Sequence, residues 1–212
     1  ALLDLIQKTV PQMPIFTVDT GFLFQETQDL KARVEVRYGI QIEGVHPRLS
    51  VAQQEEEYGP ALYQRNPDRC CWMRKVEPLR RKLGELDGWI TSLRRDQSET
   101  RKEIRVLEHY GVEGGHAVVK VNPMIGWAQK QVWGYILEHA LPFNPLHDQG
   151  YPSIGCWPCT RPVATGQDER GGRWVGTSKT ECGIHTSFIS VEALAREEAT
   201  GRRCRLGGAI DS

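Results

Sequence analysis

Apolar positions at Leu2, Leu5 and Ile6 gather on one side of a helix predicted over residues 1–8. The period changes at residues 13–18, where a short apolar run closes on Asp19-Thr20-Gly21; this reads as a strand and a turn. Leu30, Val34 and Tyr38 recur at every fourth position in an otherwise charged stretch, predicting a helix over residues 25–38. Residues 40–45 are the next strand candidate. Helix, strand, helix, strand is the rhythm of an α/β sheet with parallel strands.

Residues 47–69 are polar and less regular. Asp68 is a candidate cap for a helix starting at Arg69, which would carry Cys70 and Cys71 in its first turn. Pro78 is expected to break or kink that helix, with a second helical piece running to about Leu86. Residues 89–93 read as a strand, 94–105 as a charge-rich loop and 117–121 as another strand. Val132, Trp133, Ile136, Leu137 and Ala140 repeat at helical spacing, predicting an amphipathic helix over residues 125–140. Proline and glycine then dominate residues 141–172, the mark of a long structured loop, and residues 191–200 suit a last helix.

The chain has 212 residues, enough for one domain with a core that needs no staples. Its 27 basic and 27 acidic side chains cancel, so bulk charge argues against nucleic acid as a partner, and any anionic ligand must be met by local clusters. No apolar run approaches the roughly 20 residues of a membrane helix, and Ala1-Leu2-Leu3 meets Asp4 with neither a basic leader nor a cleavage site. Six cysteines in a chain of this size point to metal binding or catalysis in a reducing, cytoplasmic compartment, not to a disulfide framework.

The cysteines carry the chemistry. Cys70 and Cys71 are adjacent, and Cys156-Trp157-Pro158-Cys159 supplies a second close pair. Vicinal cysteines are poor disulfide partners for each other, but four thiols in two pairs suit a zinc ion or an iron–sulfur cluster. Spacing alone leaves these two open, beside a plain CxxC redox pair. Lys75 lies four residues after Cys71, and a helix would put both on one face. Arg94 and Arg95 follow a strand, where ligands of open α/β sheets bind. Arg161, Arg170 and Arg173 lie among Gly166, Gly171 and Gly172, a basic segment able to clamp an anion. Cys182 stands in Glu181-Cys182-Gly183-Ile184-His185 with Lys179 nearby, a setting that suits a nucleophilic thiolate. Cys204 has no evident partner.

Together these segments resemble the thioredoxin-dependent assimilatory adenylylsulfate (APS) reductase family. The matching pieces are Val18-Asp19-Thr20-Gly21 with Glu26-Thr27, Cys70-Cys71 with Arg74-Lys75-Val76-Glu77-Pro78-Leu79, and Arg94-Arg95-Asp96-Gln97-Ser98. They continue with Asn144-Pro145-Leu146-His147, Gly150-Tyr151, Gly155-Cys156-Trp157-Pro158-Cys159-Thr160-Arg161-Pro162, Gly172-Arg173-Trp174 and Glu181-Cys182-Gly183-Ile184-His185. Each piece alone is weak; their joint occurrence up to His185 is specific.

The resemblance implies an α/β, Rossmann-like, mostly parallel sheet of the PP-loop type with a cysteine-rich C-terminal loop region. It implies a 4Fe–4S cluster on Cys70, Cys71, Cys156 and Cys159, and Cys182 as nucleophile. Val18, Thr20, Lys75, Arg94, Arg95, Arg170, Arg173 and His185 match its substrate-contacting positions. Thioredoxin or glutaredoxin is the implied reductant and AMP the product, with no nucleic acid, no membrane and a possible homo-oligomer. Residues 1–185 are read as the catalytic domain and 186–212 as a tail. The family opens with a strand and a Ser/Gly-rich phosphate-type loop directly before the segment matching Ala1-Leu2-Leu3-Asp4, and this chain starts after them. Reduction of 3′-phosphoadenylylsulfate, dual specificity, and a zinc-bearing nucleotide-binding protein are the competing readings.

Overall fold

The computed structural model describes residues 1–111, 117–164, 166 and 168–185. The helix expected over residues 191–200, the tail 186–212 and Cys204 lie outside them.

The first half follows the predicted rhythm. α1 (Leu2–Thr9) leads to β1 (Ile15–Val18), α2 (Gln25–Tyr38) and β2 (Ile42–Val45). Gly39 ends α2 in the left-handed region at φ 63°, which glycine adopts without a steric cost. β1 and β2 pair in parallel, Ile15 opposite Ile42 and Val18 opposite Val45. Asp4 ties α1 down from its buried position. It accepts from the Tyr38 hydroxyl at 2.9 Å and the Tyr135 hydroxyl at 2.7 Å, and pairs with Lys8 at 2.8 Å.

The stretch read as irregular contains two helices, α3 (Val51–Tyr58) and α4 (Leu62–Arg65). Ser50 explains the first. Its hydroxyl accepts from the Gln53 amide, and the Gln53 side chain accepts from the Ser50 amide, a reciprocal cap that overrides the glutamate-rich composition. The next helix, α5 (Pro67–Cys71), starts two residues earlier than expected. Asn66, not Asp68, caps it by accepting from the Arg69 amide, and Cys70 and Cys71 consequently fall in its last turn.

Pro78 does not break the chain. A π-turn over Trp72–Val76 precedes it, and α6 (Glu77–Leu83) continues with Pro78 in its first turn. The wide turn already breaks the i→i−4 ladder, so the missing proline N–H costs little there.

β3 (Gly88–Ile90), β4 (Leu107–Gly111) and β5 (Ala117–Val121) form a second sheet in the order β3-β5-β4. β3 is parallel to β5, while β4 runs antiparallel. β4 has no counterpart among the expected strands: it is an edge strand carrying Glu108 and His109, with only Tyr110 buried. α7 (Gln129–Glu138) is shorter than expected, because residues 122–127 turn tightly. None of its residues is fully buried, and Leu137 is 69% exposed despite the apolar pattern.

Leu79, Leu83, Tyr110 and Val118 form one core, packed by Phe16, Val18, Trp89 and Ile184; Phe22, Leu62, Cys70 and Cys156 form another. Between the sheets, β1 and β3 flank a cleft of about 990 Å³ that also takes in Leu2, Ile6, Arg101 and His185. No described helix is long and apolar enough to cross a membrane.

Candidate active site

Four cysteines meet where α5, the π-turn and the loop after α7 converge. Cys70 and Cys71 end α5, while Cys156 and Cys159 bracket a 3₁₀ turn over Trp157–Cys159. All four line one cavity with Phe22, Tyr63, Arg74, Lys75 and Trp174. Cys70, Cys71 and Cys156 are buried and Cys159 half-buried. Burial, then the neighbouring sulfurs, push the Cys70 thiol up to about 12; burial likewise lifts Cys159 to about 11. Among the described residues, no three His, Cys, Asp or Glu side chains are grouped as a single metal ion requires.

The loop after β1 is stapled to this centre. The Thr20 hydroxyl stands against the Cys156 sulfur and accepts from the Phe22 amide at 3.1 Å. The Trp157 amide donates to the Phe22 carbonyl at 2.9 Å. Buried Arg74 donates to the Thr20 carbonyl, gives a 2.9 Å bond to Gln54 Oε1 and covers the Phe22 ring. Gly21 sits at φ 71°, and a Cβ there would come within 3.0 Å of the Arg74 guanidinium, so a side chain would be strained and would crowd Arg74. Thr20 thus faces Cys156 with its hydroxyl; Val18 lines the cleft.

Lys75 is buried, 8% exposed. Burial alone would lower its ammonium, but Cys156, Cys182 and Cys71 outweigh that and raise it. Lys75 lines the four-cysteine cavity, and Cys182 is half-buried.

The arginines separate into distinct roles. Arg94 is buried and held by Asp96 at 2.8 Å and Glu169 at 3.2 Å. Burial pushes the Glu169 carboxyl up, against the pull of Arg94. Arg95 is exposed and donates to the Ile104 carbonyl, away from the cleft. Arg170 pairs with Glu181 at 3.0 Å. Arg173 donates to Ser153 Oγ at 3.2 Å, stacks over Trp174 and lies so close to Gly155 that a Cβ there would be 2.1 Å from its Nη2. Arg161 turns to the Trp157 and Thr160 carbonyls.

His185 stacks on Trp89 at 5.8 Å with the rings 15° apart. Burial, then Lys120, Arg101 and Arg170, hold it well below the usual histidine range, so it is neutral at physiological pH.

A family model described as the phosphoadenosine phosphosulfate reductase domain matches residues 1–162, which include all four clustered cysteines. The chain belongs to this reductase family. Among the similar proteins of the family, the phosphoadenosine 5′-phosphosulfate reductase of Gloeobacter violaceus is 52% identical over 187 residues, 87% of this chain and 76% of its own. The adenosine 5′-phosphosulfate reductase of Halalkalibacterium halodurans is 48% identical over 87% of this chain and 79% of its own. The phosphate complex of a phosphoadenylyl-sulfate reductase from Candida auris superposes with a TM-score of 0.63 at 32% identity, over 74% of this chain and 75% of that one. A Candida glabrata FMN adenylyltransferase variant, 13% identical, reaches 0.50 over 93% of this chain and 65% of its own, a likeness of fold alone. The reductase family and its mixed α/β fold accord with the sequence reading.

Several residues escaped that reading. Arg101 was one charge among many in a loop; it proves buried and bonded to Glu181. Glu181 was visible only as a flank of Cys182. Trp174 takes φ +50°, and Arg170, Arg173 and Lys179 all pack over its ring. The basic spacing around Gly172-Arg173-Trp174 was the one available hint.

Proposed function

We propose that this chain reduces adenylylsulfate to sulfite and AMP in sulfate assimilation, with residues 1–185 as the catalytic unit and Cys182 as its nucleophile. The observation that carries the reading is the cavity walled by Cys70, Cys71, Cys156 and Cys159 together with buried Lys75, with a fifth, half-buried thiol, Cys182, on a segment that Arg170 grips through Thr180 and Glu181. The names of several similar reductases support the substrate.

The Cys182 thiolate attacks the sulfuryl sulfur. The S–O bond to the phosphate breaks, AMP leaves with the electron pair, and the cysteine becomes S-sulfocysteine. Lys75 and Arg173 offset the charge that builds on the transferring group. A dithiol reductant, thioredoxin or glutaredoxin, then attacks the Cys182 sulfur, and sulfite departs with the bonding pair. The second thiol of the reductant resolves the mixed disulfide, so both electrons come from its thiols.

Cys70, Cys71, Cys156 and Cys159 would hold a 4Fe–4S cluster, whose charge organises and polarises the site. Their chemistry fits: four thiols line one cavity, with the Arg74 and Lys75 cations at hand to balance thiolate-ligated iron.

The Gloeobacter relative's name favours a second reading, the 3′-phosphorylated substrate. A side-by-side kcat/KM measurement with both substrates decides it. The nucleophile is tested with Cys182→Ser, assayed with APS and thioredoxin. It should bind AMP, release no sulfite and show no sulfonate adduct by intact mass, because a serine hydroxyl is un-ionised near neutral pH. Normal turnover would overturn the reading.

A further inference from the structure

The segment bearing Cys182 has no regular secondary structure, yet it is anchored on the protein. The hold comes from the preceding residue. The Glu181 carboxylate, 10% exposed, accepts from Thr100 Oγ1 at 3.1 Å, Arg101 Nε at 3.1 Å, Arg101 Nη2 at 3.2 Å and Arg170 Nη2 at 3.0 Å. Arg170 Nη2 also donates to the Thr180 carbonyl at 3.2 Å, so the chain is gripped on both sides of the peptide entering Glu181. Arg101 is itself fixed, its Nη1 2.5 Å from Gln97 Oε1. On the other side of Cys182, Gly183 turns the chain at φ +87°, Ile184 packs on the core and His185 stacks on Trp89.

We infer that Glu181 is the positioning residue for Cys182: its bridge to Arg101 and Arg170 fixes where the thiol meets the substrate. This rests on the proposed role of Cys182 as nucleophile. Charge-assisted bonds to two planar guanidinium groups fix orientation as well as position. A four-bond seat at the residue next to the nucleophile leaves the cysteine little freedom to swing. Three of those bonds come from Thr100 and Arg101, in the loop after β3, and one from Arg170, in the loop after the cysteine turn. The bridge therefore registers the cysteine against both walls of the site. Glu181 touches neither substrate nor reductant in this role and acts only through its neighbour.

A carboxylate on two arginines also resembles an anion waiting to be displaced by substrate, and the two roles separate experimentally. The holoenzyme and its Glu181→Gln, Glu181→Asp and Arg101→Lys variants are assayed with APS and thioredoxin. Alkylation of Cys182 by iodoacetamide is followed in parallel by peptide mass mapping. Positioning predicts that Glu181→Gln alkylates about tenfold faster and loses about tenfold or more in kcat, with KM within about threefold, since a small misplacement of a reacting group is costly. Glu181→Asp keeps the charge but spans less, so it should fall between. Arg101→Lys, which keeps the charge and loses the fork, should speed alkylation in the same way. It stands in if the glutamine variant does not fold. Unchanged alkylation and kcat would overturn the inference, as would a lower KM at unchanged kcat, the signature of a carboxylate that only occupies the substrate's seat. If Cys182→Ser turned over normally, the nucleophile would be misassigned while the alkylation result still reported whether Glu181 holds the segment.

Discussion

The Thr20 hydroxyl lies 3.3 Å from the Cys156 sulfur, although 136 residues separate them in the chain. The turn leaving the first strand and the loop bearing the second cysteine pair are thereby one structural unit. Thr20→Val keeps the shape and removes the hydroxyl, leaving the Phe22 amide without its acceptor. A buried donor left unpaired costs about 1–3 kcal/mol. Urea unfolding of the variant should show a loss in that range.

Replacing Cys156 by serine removes one of four proposed cluster thiolates. The variant should be purified with markedly less iron and weak visible absorbance, while its far-ultraviolet dichroism stays native. Full iron content would rule Cys156 out as a ligand.

Gly155 leaves room for the Arg173 guanidinium, which a Cβ would approach to 2.1 Å. Gly155→Ala should therefore mimic Arg173→Ala by displacing the side chain. Both should weaken AMP or APS binding by about 1–3 kcal/mol, the range for a lost charged hydrogen bond. Calorimetric titration of the two variants checks this, and an effect of Arg173→Ala alone would separate the glycine from the arginine.

Asp4 supplies a pH dependence. Burial alone would raise its carboxyl, but Lys8 and the Tyr135 and Tyr38 hydroxyls outweigh that and lower it from 3.8 to about 2. A carboxyl depressed in the folded state stabilises above its unfolded value, and that contribution fades as pH falls from 3.8 through about 2. Asp4→Asn should be less stable at neutral pH and lack this component of acid sensitivity. Denaturant midpoints for both proteins between about pH 5 and pH 2 test it.

The sequence made the chemistry more legible than the architecture around it. The paired cysteines and the Cys182 segment could be picked out because their residue types are rare and clustered. The first two helices and strands were readable because Leu30, Val34 and Tyr38, or the run from residue 13, show clean periods. β4 was hidden because an edge strand needs only one buried face, which here is Tyr110. α3 was hidden because its start depends on a reciprocal Ser50–Gln53 cap and not on an apolar stripe. The arginines could be counted but not sorted: whether one meets a ligand or a protein carboxylate depends on Glu169 for Arg94 and Glu181 for Arg170, which only the fold brings to them.

The π-turn at Trp72–Val76 lets one rod obey two masters. An extra residue in a helical turn rotates everything beyond it by about 100° relative to what comes before. Cys70 and Cys71 upstream are timed to the cavity, while Leu79 and Leu83 downstream are timed to the core. Deleting any one residue of the turn would lock the two phases together. Either the cysteines would leave the cavity or the leucines would leave the core, like two cams on a shaft that has lost its offset.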